Sequence, residues 1–196
     1  MARTANNLAT SAWVLARKGA SVTTAVESAL ATTVAAIPVS AVPCAGWRGF
    51  RMAFLSNGAN DETATITVYG IDPFTNVDEE YAVGYRTQSL GTLALTFGTS
   101  TLVAGTIYDV TAHTSLPLAL NASYRWADTV VWTASTYGTA LLTYVSGNAA
   151  AFSPADNTIG EFLCSDFGNF AYLAFVCTTY GLSATKQLIP LVKFDV

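Results

Sequence analysis

Apolar and polar residues alternate with period two along much of the chain, and the clearest stretch runs from Trp47 to Tyr69. On its first arm Phe50, Met52 and Phe54 fall on one side, with Trp47, Gly49, Arg51, Ala53 and Leu55 on the other. On the second arm Ile66 and Val68 point one way, and Thr65, Thr67 and Tyr69 the other. Such alternation in Val-, Ile-, Thr- and aromatic-rich runs marks strands with one buried face. The seven polar residues between the arms include Asn57-Gly58, an easy turn. The stretch predicts a β-hairpin or a pair of neighbouring antiparallel strands.

Further strands are predicted at Tyr81 to Gln88, Leu90 to Phe97, Leu102 to Val110, Arg125 to Ser135 and Ala140 to Val145. The strongest runs from Asn169 to Tyr180, where Phe170, Tyr172, Ala174 and Val176 face one way and Ala171, Leu173, Phe175 and Cys177 the other. Neither of its sides is polar, so it is either central in the domain or buried at a subunit contact. In Arg125 to Ser135 the faces are ambiguous: Asp128 shares a side with Trp126, Val130 and Trp132, which leaves Ala127, Thr129, Val131 and Thr133 as the alternative buried side. The final segment, L-I-P-L-V-K-F-D-V, reads as a last strand, with Pro190 confining its start to an edge or a bulge.

Loops are expected at Gly70 to Tyr81, which is acidic, and at Thr111 to Ser123, which is polar and carries Pro117. Helix around Thr24 to Leu30 competes with extended structure favoured by Thr32, Thr33 and Val34. Residues 1–20 read as an irregular N-terminal arm, either partly ordered or laid across a neighbouring subunit through Trp13, Val14 and Leu15. The expectation is an all-β chain: a β-sandwich, jelly-roll or related Greek-key topology over residues 21–196. Two smaller β-domains dividing near Thr111 to Ser123 are the competing arrangement.

Composition changes the picture of the surface. Of 196 residues, 52% are hydrophobic and 11% charged, less than half the charged share of an ordinary soluble globule, about 25%. Either Thr, Ser, Asn, Gly and Ala cover the outside, or other subunits do, and the second is favoured because an interface tolerates low charge. The net charge of −4 and pI near 4.7 argue against polyanionic partners. Arg3, Arg17 and Lys18 precede the first acid, Glu27, but are too dilute for direct nucleic-acid binding. No apolar run is long enough to span a bilayer, and no signal-peptide pattern is present, so synthesis in a host cytoplasm is expected.

Candidate chemistry is thin. Cys44, Cys164 and Cys177 are odd in number and show no C-x-x-C spacing, and His113 is the one histidine, so no metal site or cofactor is expected. His113 in T-A-H-T has no local nucleophile pattern around it. Asp128, Glu161 and Asp166 interrupt apolar stretches and are the candidates for a glycosidase-type pair, though each is more simply a turn acceptor or a partner of an arginine. Asp72, Asp78, Glu79 and Glu80 invite a calcium reading but do not follow the EF-hand spacing. A sugar-binding module would use Trp47, Tyr69, Tyr85, Trp126, Trp132 and Tyr172 as stacking platforms, with polar contacts from Asp128 or Asn169. The same aromatics are what a protein interface concentrates.

The segment G-W-R-G-F-R-M-A-F-L-S-N-G-A-N-D-E-T-A-T-I-T-V-Y-G-I-D, within residues 34–72 of a Thr/Ala/Gly-rich acidic chain, resembles accessory structural proteins of tailed bacteriophage virions. These are capsid decoration (cement) proteins and small head or tail components. The resemblance implies a non-enzymatic role in stabilising contacts between capsid subunits. It also implies a β-sandwich or jelly-roll fold, a homo-oligomer such as a trimer, and a major capsid protein as partner. It carries no site residue. The inter-subunit surface read from the sequence is Trp13, Val14 and Leu15, joined by Trp126 and Trp132. A carbohydrate-binding module for receptor or glycan adhesion and a self-assembling jelly-roll coat protein are the alternatives.

Overall fold

The computed structural model describes residues 14–15, 27–38, 40–44, 49–56, 62–75, 82–101, 107–109, 114–116, 125–135, 142–144, 162–165, 170–181 and 188–195. Every regular element among them is a strand: β1 (Val14–Leu15), β2 (Thr33–Val34), β3 (Ala41–Pro43), β4 (Gly49–Ser56), β5 (Glu62–Thr75), β6 (Ala82–Thr101) and β7 (Ile107–Asp109). The series continues with β8 (Thr114–Leu116), β9 (Arg125–Ala134), β10 (Leu142–Tyr144), β11 (Phe162–Ser165), β12 (Tyr172–Tyr180) and β13 (Leu188–Asp195). The all-β expectation holds. The helix considered at Thr24 to Leu30 does not form over its described residues, Glu27 to Leu30.

Hydrogen bonding follows the path β3-β12-β5-β6-β9-β4-β13-β1-β7-β8, with β2 added to β6, β11 to β4 and β10 to β11. All pairs are antiparallel except β1 with β7. The sheet curls, because residues from distant steps of this path share one core. Met52 and Phe54 of β4 and Val192 of β13 pack in the same cluster as Ile66 and Val68 of β5, Leu93 and Leu95 of β6, and Leu173 and Phe175 of β12.

This arrangement corrects the hairpin expected between the arms of the Trp47–Tyr69 stretch. β5 pairs with β12 and β6, and β4 with β13, β11 and the start of β9, so β6 and β9 stand between the two arms. The alternation placed their inward residues correctly, but period two says which face is buried and not which strand is the neighbour. The acidic loop expected from Gly70 is also shorter: β5 continues to Thr75 on the ladder with β6. Likewise the strands expected at Tyr81 to Gln88 and at Leu90 to Phe97 are, over the described residues from Ala82, parts of one strand. The ladder shifts there, with Val68 opposite Gly91 and Tyr69 opposite Ser89, leaving Leu90 as the extra residue.

Proline positions follow from the missing N–H. Pro43 lies on β3, which has β12 as its neighbour; Pro73 lies beyond Ile71, where the β12 pairing ends. Pro190 pairs with Phe54 of β4, while the β1 ladder stops one residue away at Leu191. Each sits where its strand has a single partner among the described residues, the position at which a missing N–H is best tolerated.

β12 is sealed on both faces within this chain. Leu173, Phe175 and Cys177 enter the main core, and Ala174 and Val176 join a second cluster with Ala41, Tyr69 and Ile71. Leu30, Ile37, Tyr85 and Tyr172 pack against this second cluster. Residues 27–40 thus form a strap over the outer face of β12, β5 and β6. Its hydrogen bonds run from Glu27 N–H to the Cys177 carbonyl (2.7 Å), from Phe175 N–H to the Ser40 carbonyl (2.9 Å) and from Thr87 N–H to the Thr32 carbonyl (2.9 Å). The Glu27 carboxylate also accepts the Cys177 N–H at 3.1 Å. Of the two explanations for an apolar pair of faces, central burial is the one this strand uses.

β9 resolves its ambiguous faces through a bulge. Thr96 opposes Thr129 but Phe97 opposes Ala127, so Asp128 has no partner on β6 and the parity changes there. Ala127 and Val130, three residues apart, are consequently both buried in the main core. Val131 remains 43% exposed.

Candidate functional site

A concavity among the described residues arises at an interruption along one edge of β6. β2 covers that edge at Tyr85 and Arg86, through Val34 and Thr33 respectively, and the bond from Thr87 N–H to the Thr32 carbonyl extends the cover by one residue. β9 takes over at Gly91, opposite Ala134, and Ser135 N–H reaches back to the Leu90 carbonyl at 3.0 Å. Between the two covering segments lie Gln88 and Ser89. At about 3.3 Å per residue the gap is about 7 Å long.

The groove over this gap has a volume of about 580 Å³. Thr32 and Thr33 line one end, Ser135 the other, and Arg86, Thr87, Gln88 and Ser89 the floor. Two of the hydroxyls fix its walls: Thr87 Oγ1 donates to the Ala31 carbonyl, and Ser135 Oγ to the Ser89 carbonyl. Strap and β9 are therefore each tied to the floor by a buried or half-buried hydroxyl. Arg86 is exposed and lies across the ladder from Asp72. The Asp72 carboxylate is engaged elsewhere, accepting the Ala171 N–H at 2.8 Å. Among the described residues the lining carries hydroxyl, amide and guanidinium groups and no aromatic residue or carboxylate.

Comparison with protein-family models, curated proteins and solved structures gives no match.

The residues singled out from the sequence are dispersed. Val14 and Leu15 form β1, paired to Val192 and Leu191 of β13 and, at Val14, to Tyr108 of β7 of the same chain. Trp13 lies outside the described residues. Trp126 opposes Leu55 where β9 meets β4. Trp132 is half-buried against the main core, with its ring over Gly91: a Cβ there would stand 2.2 Å from Trp132 Cη2 and 2.6 Å from the Thr133 carbonyl oxygen. Gly91 also has a φ of +153°, so glycine is required twice over. The Trp132 indole Nε1 is buried with no hydrogen-bond partner among the described residues.

Of the aromatics considered as sugar platforms, Tyr69 is corrected to a core residue, 6% exposed. Tyr85 and Tyr172 pack edge to face, their ring centroids 6.2 Å apart, against the second cluster. Trp47 and Asn169 lie outside the described residues. So do His113, Glu161, Asp166, Asp78, Glu79 and Glu80. Asp128 is the bulge residue of β9. Among the described residues no group of three or more His, Cys, Asp and Glu is placed to hold a metal. No helix among them is long and apolar enough to cross a membrane.

Cys44 and Cys177 are buried. Burial, and secondarily the negative charge of Asp72, pushes the Cys44 thiol up to about 12 from an ordinary 9.0. It donates instead to the Phe170 carbonyl at 3.1 Å. A thiol so held stays protonated at neutral pH and is a poor nucleophile.

The groove went unrecognised in the sequence because its residues are ordinary strand and loop positions there. The one available signal was the Gly91 break inside an otherwise continuous alternation, which marks a place where a strand's neighbours can change.

Proposed function

We propose that this chain is a non-enzymatic structural protein of a virion, a capsid decoration or minor capsid component with a β-sandwich, jelly-roll or related Greek-key topology. The observation that carries the reading is the 11% charged fraction in a chain whose described residues are built of strands. A surface so short of charge suits contact with copies of itself and with a major capsid protein better than free solution. The mechanism is mechanical: several apolar contacts made together across a subunit joint raise the free energy needed to separate it. Burial of β12 inside its own chain removes that strand from the contact surface. The remaining candidates are the segment around Trp13 and the outer face of β9, where Val131 is exposed.

Light scattering behind a sizing column, over a range of concentrations, tests the reading. Assembled species heavier than the 20.6 kDa chain are expected, and Trp13→Ala should reduce them while preserving the circular dichroism of the folded chain. A monomer at every concentration, with no retention on purified phage capsids, overturns it.

A further inference from the structure

We propose that the groove over Gln88 and Ser89 is a binding site for a small hydroxylated carboxylate, the size of one acidic monosaccharide unit. The inference is independent of the virion reading. Size comes first: a volume of about 580 Å³ falls within the range of small-molecule sites, about 300–1,000 Å³. Length narrows the occupant further. The uncovered part of β6 is two residues long, between the Thr87–Thr32 bond and the Ser135–Leu90 bond. That is too short for an added β-strand, which needs several consecutive ladder positions. A pyranose-sized ring fits the span, since two residues extend about 7 Å.

Chemistry then selects the ligand class. Among the described residues Arg86 presents the one charge in the lining, and its planar guanidinium is matched to a carboxylate through two parallel hydrogen bonds. Arg86 lies across the ladder from Asp72 on a chain of net charge −4, so a carboxylate would be held by short-range guanidinium hydrogen bonds rather than by a positive field. Thr32, Thr33 and Gln88 add hydroxyl and amide groups suited to ligand hydroxyls. A neutral sugar is the poorer candidate, because the described lining holds no stacking ring of the kind that usually binds one. The walls are also preformed: the Thr87 and Ser135 hydroxyls tie the strap and β9 to the floor, which lowers the ordering cost of binding.

The test is an amide-resolved NMR titration of the full chain with glucuronate and N-acetylneuraminate, and with glucose and acetate as controls. Saturable shifts centred on Thr33, Thr87, Gln88 and Ser89 are expected with an acidic sugar, weaker ones with either control. Because Arg86 is exposed, Arg86→Gln should fold normally and weaken binding about tenfold. Gln88→Ala should weaken it less. Added salt should weaken the wild-type complex and leave that of Arg86→Gln nearly unchanged. Equal response to glucose, equal response to acetate, unchanged affinity in folded Arg86→Gln, or shifts centred elsewhere would each overturn the proposal.

Discussion

β12 and β9 look alike as sequence, each a run of about ten residues with apolar side chains on both parities, yet the fold treats them differently. β12 lies between β3 and β5, and both its faces are buried, one in the main core and the other under residues 27–40. β9 buries Ala127 and Val130, which flank the bulge at Asp128, and leaves Val131 exposed. An apolar strand face therefore signals burial in general, and what covers it is decided by segments far away in the sequence. The strap that seals β12 is rich in Thr and Ala and carries no strong pattern of its own. It holds because its backbone groups find partners on β12 and β6.

The largest effect is expected in the sealed strand. Phe175 is 1% exposed in the main core, and Phe175→Ala should lower the unfolding free energy by about 3–5 kcal/mol in chemical denaturation. A loss below about 1 kcal/mol would mean that β12 is not sealed. Next comes the point where β9 leans on β6. Gly91→Val drives a side chain into the Trp132 ring and the Thr133 carbonyl and should cost about 2–3 kcal/mol, with Trp132 fluorescence shifted to the red.

A pH experiment distinguishes the two regions with no bulky substitution. The folded-state value of Cys44 is raised to about 12 from 9.0, so the neutral thiol is the form that folding favours. Its contribution to stability is whole below about pH 9 and declines as pH rises from 9 towards 12. Thermal unfolding of Cys44→Ala should show a shallower alkaline loss than the wild type, and an identical slope would refute the assignment. The smallest effect belongs to the open face of β9. Val131→Lys should change stability by less than about 0.5 kcal/mol, while reducing assembled species in light scattering if that face is a contact between copies.

Much of the fold was legible residue by residue. Met52 with Phe54, Ile66 with Val68, and Leu173 with Phe175 and Cys177 each share a face as alternation grouped them, and all enter the main core. Period two is enforced by the pleat, so it survives into the folded state wherever the ladder is regular. It fails at Leu90 and Asp128, where an extra residue resets the parity. It is silent on partners, which is why the expected β4–β5 hairpin gave way to β5–β6 and β4–β13 pairing. The groove was invisible for a related reason: it exists where β2 ends and β9 begins along a third strand, a junction of three segments separated by about fifty residues each.

The sequence by itself determined that this is an all-β chain, which residues share a face along each regular strand, and that few charges are available for its surface. These follow from local physics: the alternation of side chains along an extended backbone and the composition available to cover a core. Tertiary structure alone decided that β12 is sealed by its own strap, that Tyr69 is core and that Trp132 fills the space over Gly91. It alone left Gln88 and Ser89 uncovered. Those outcomes depend on which distant backbone donors and acceptors find one another, and hydrogen-bond pairing between strands leaves no local trace in the residues that make it.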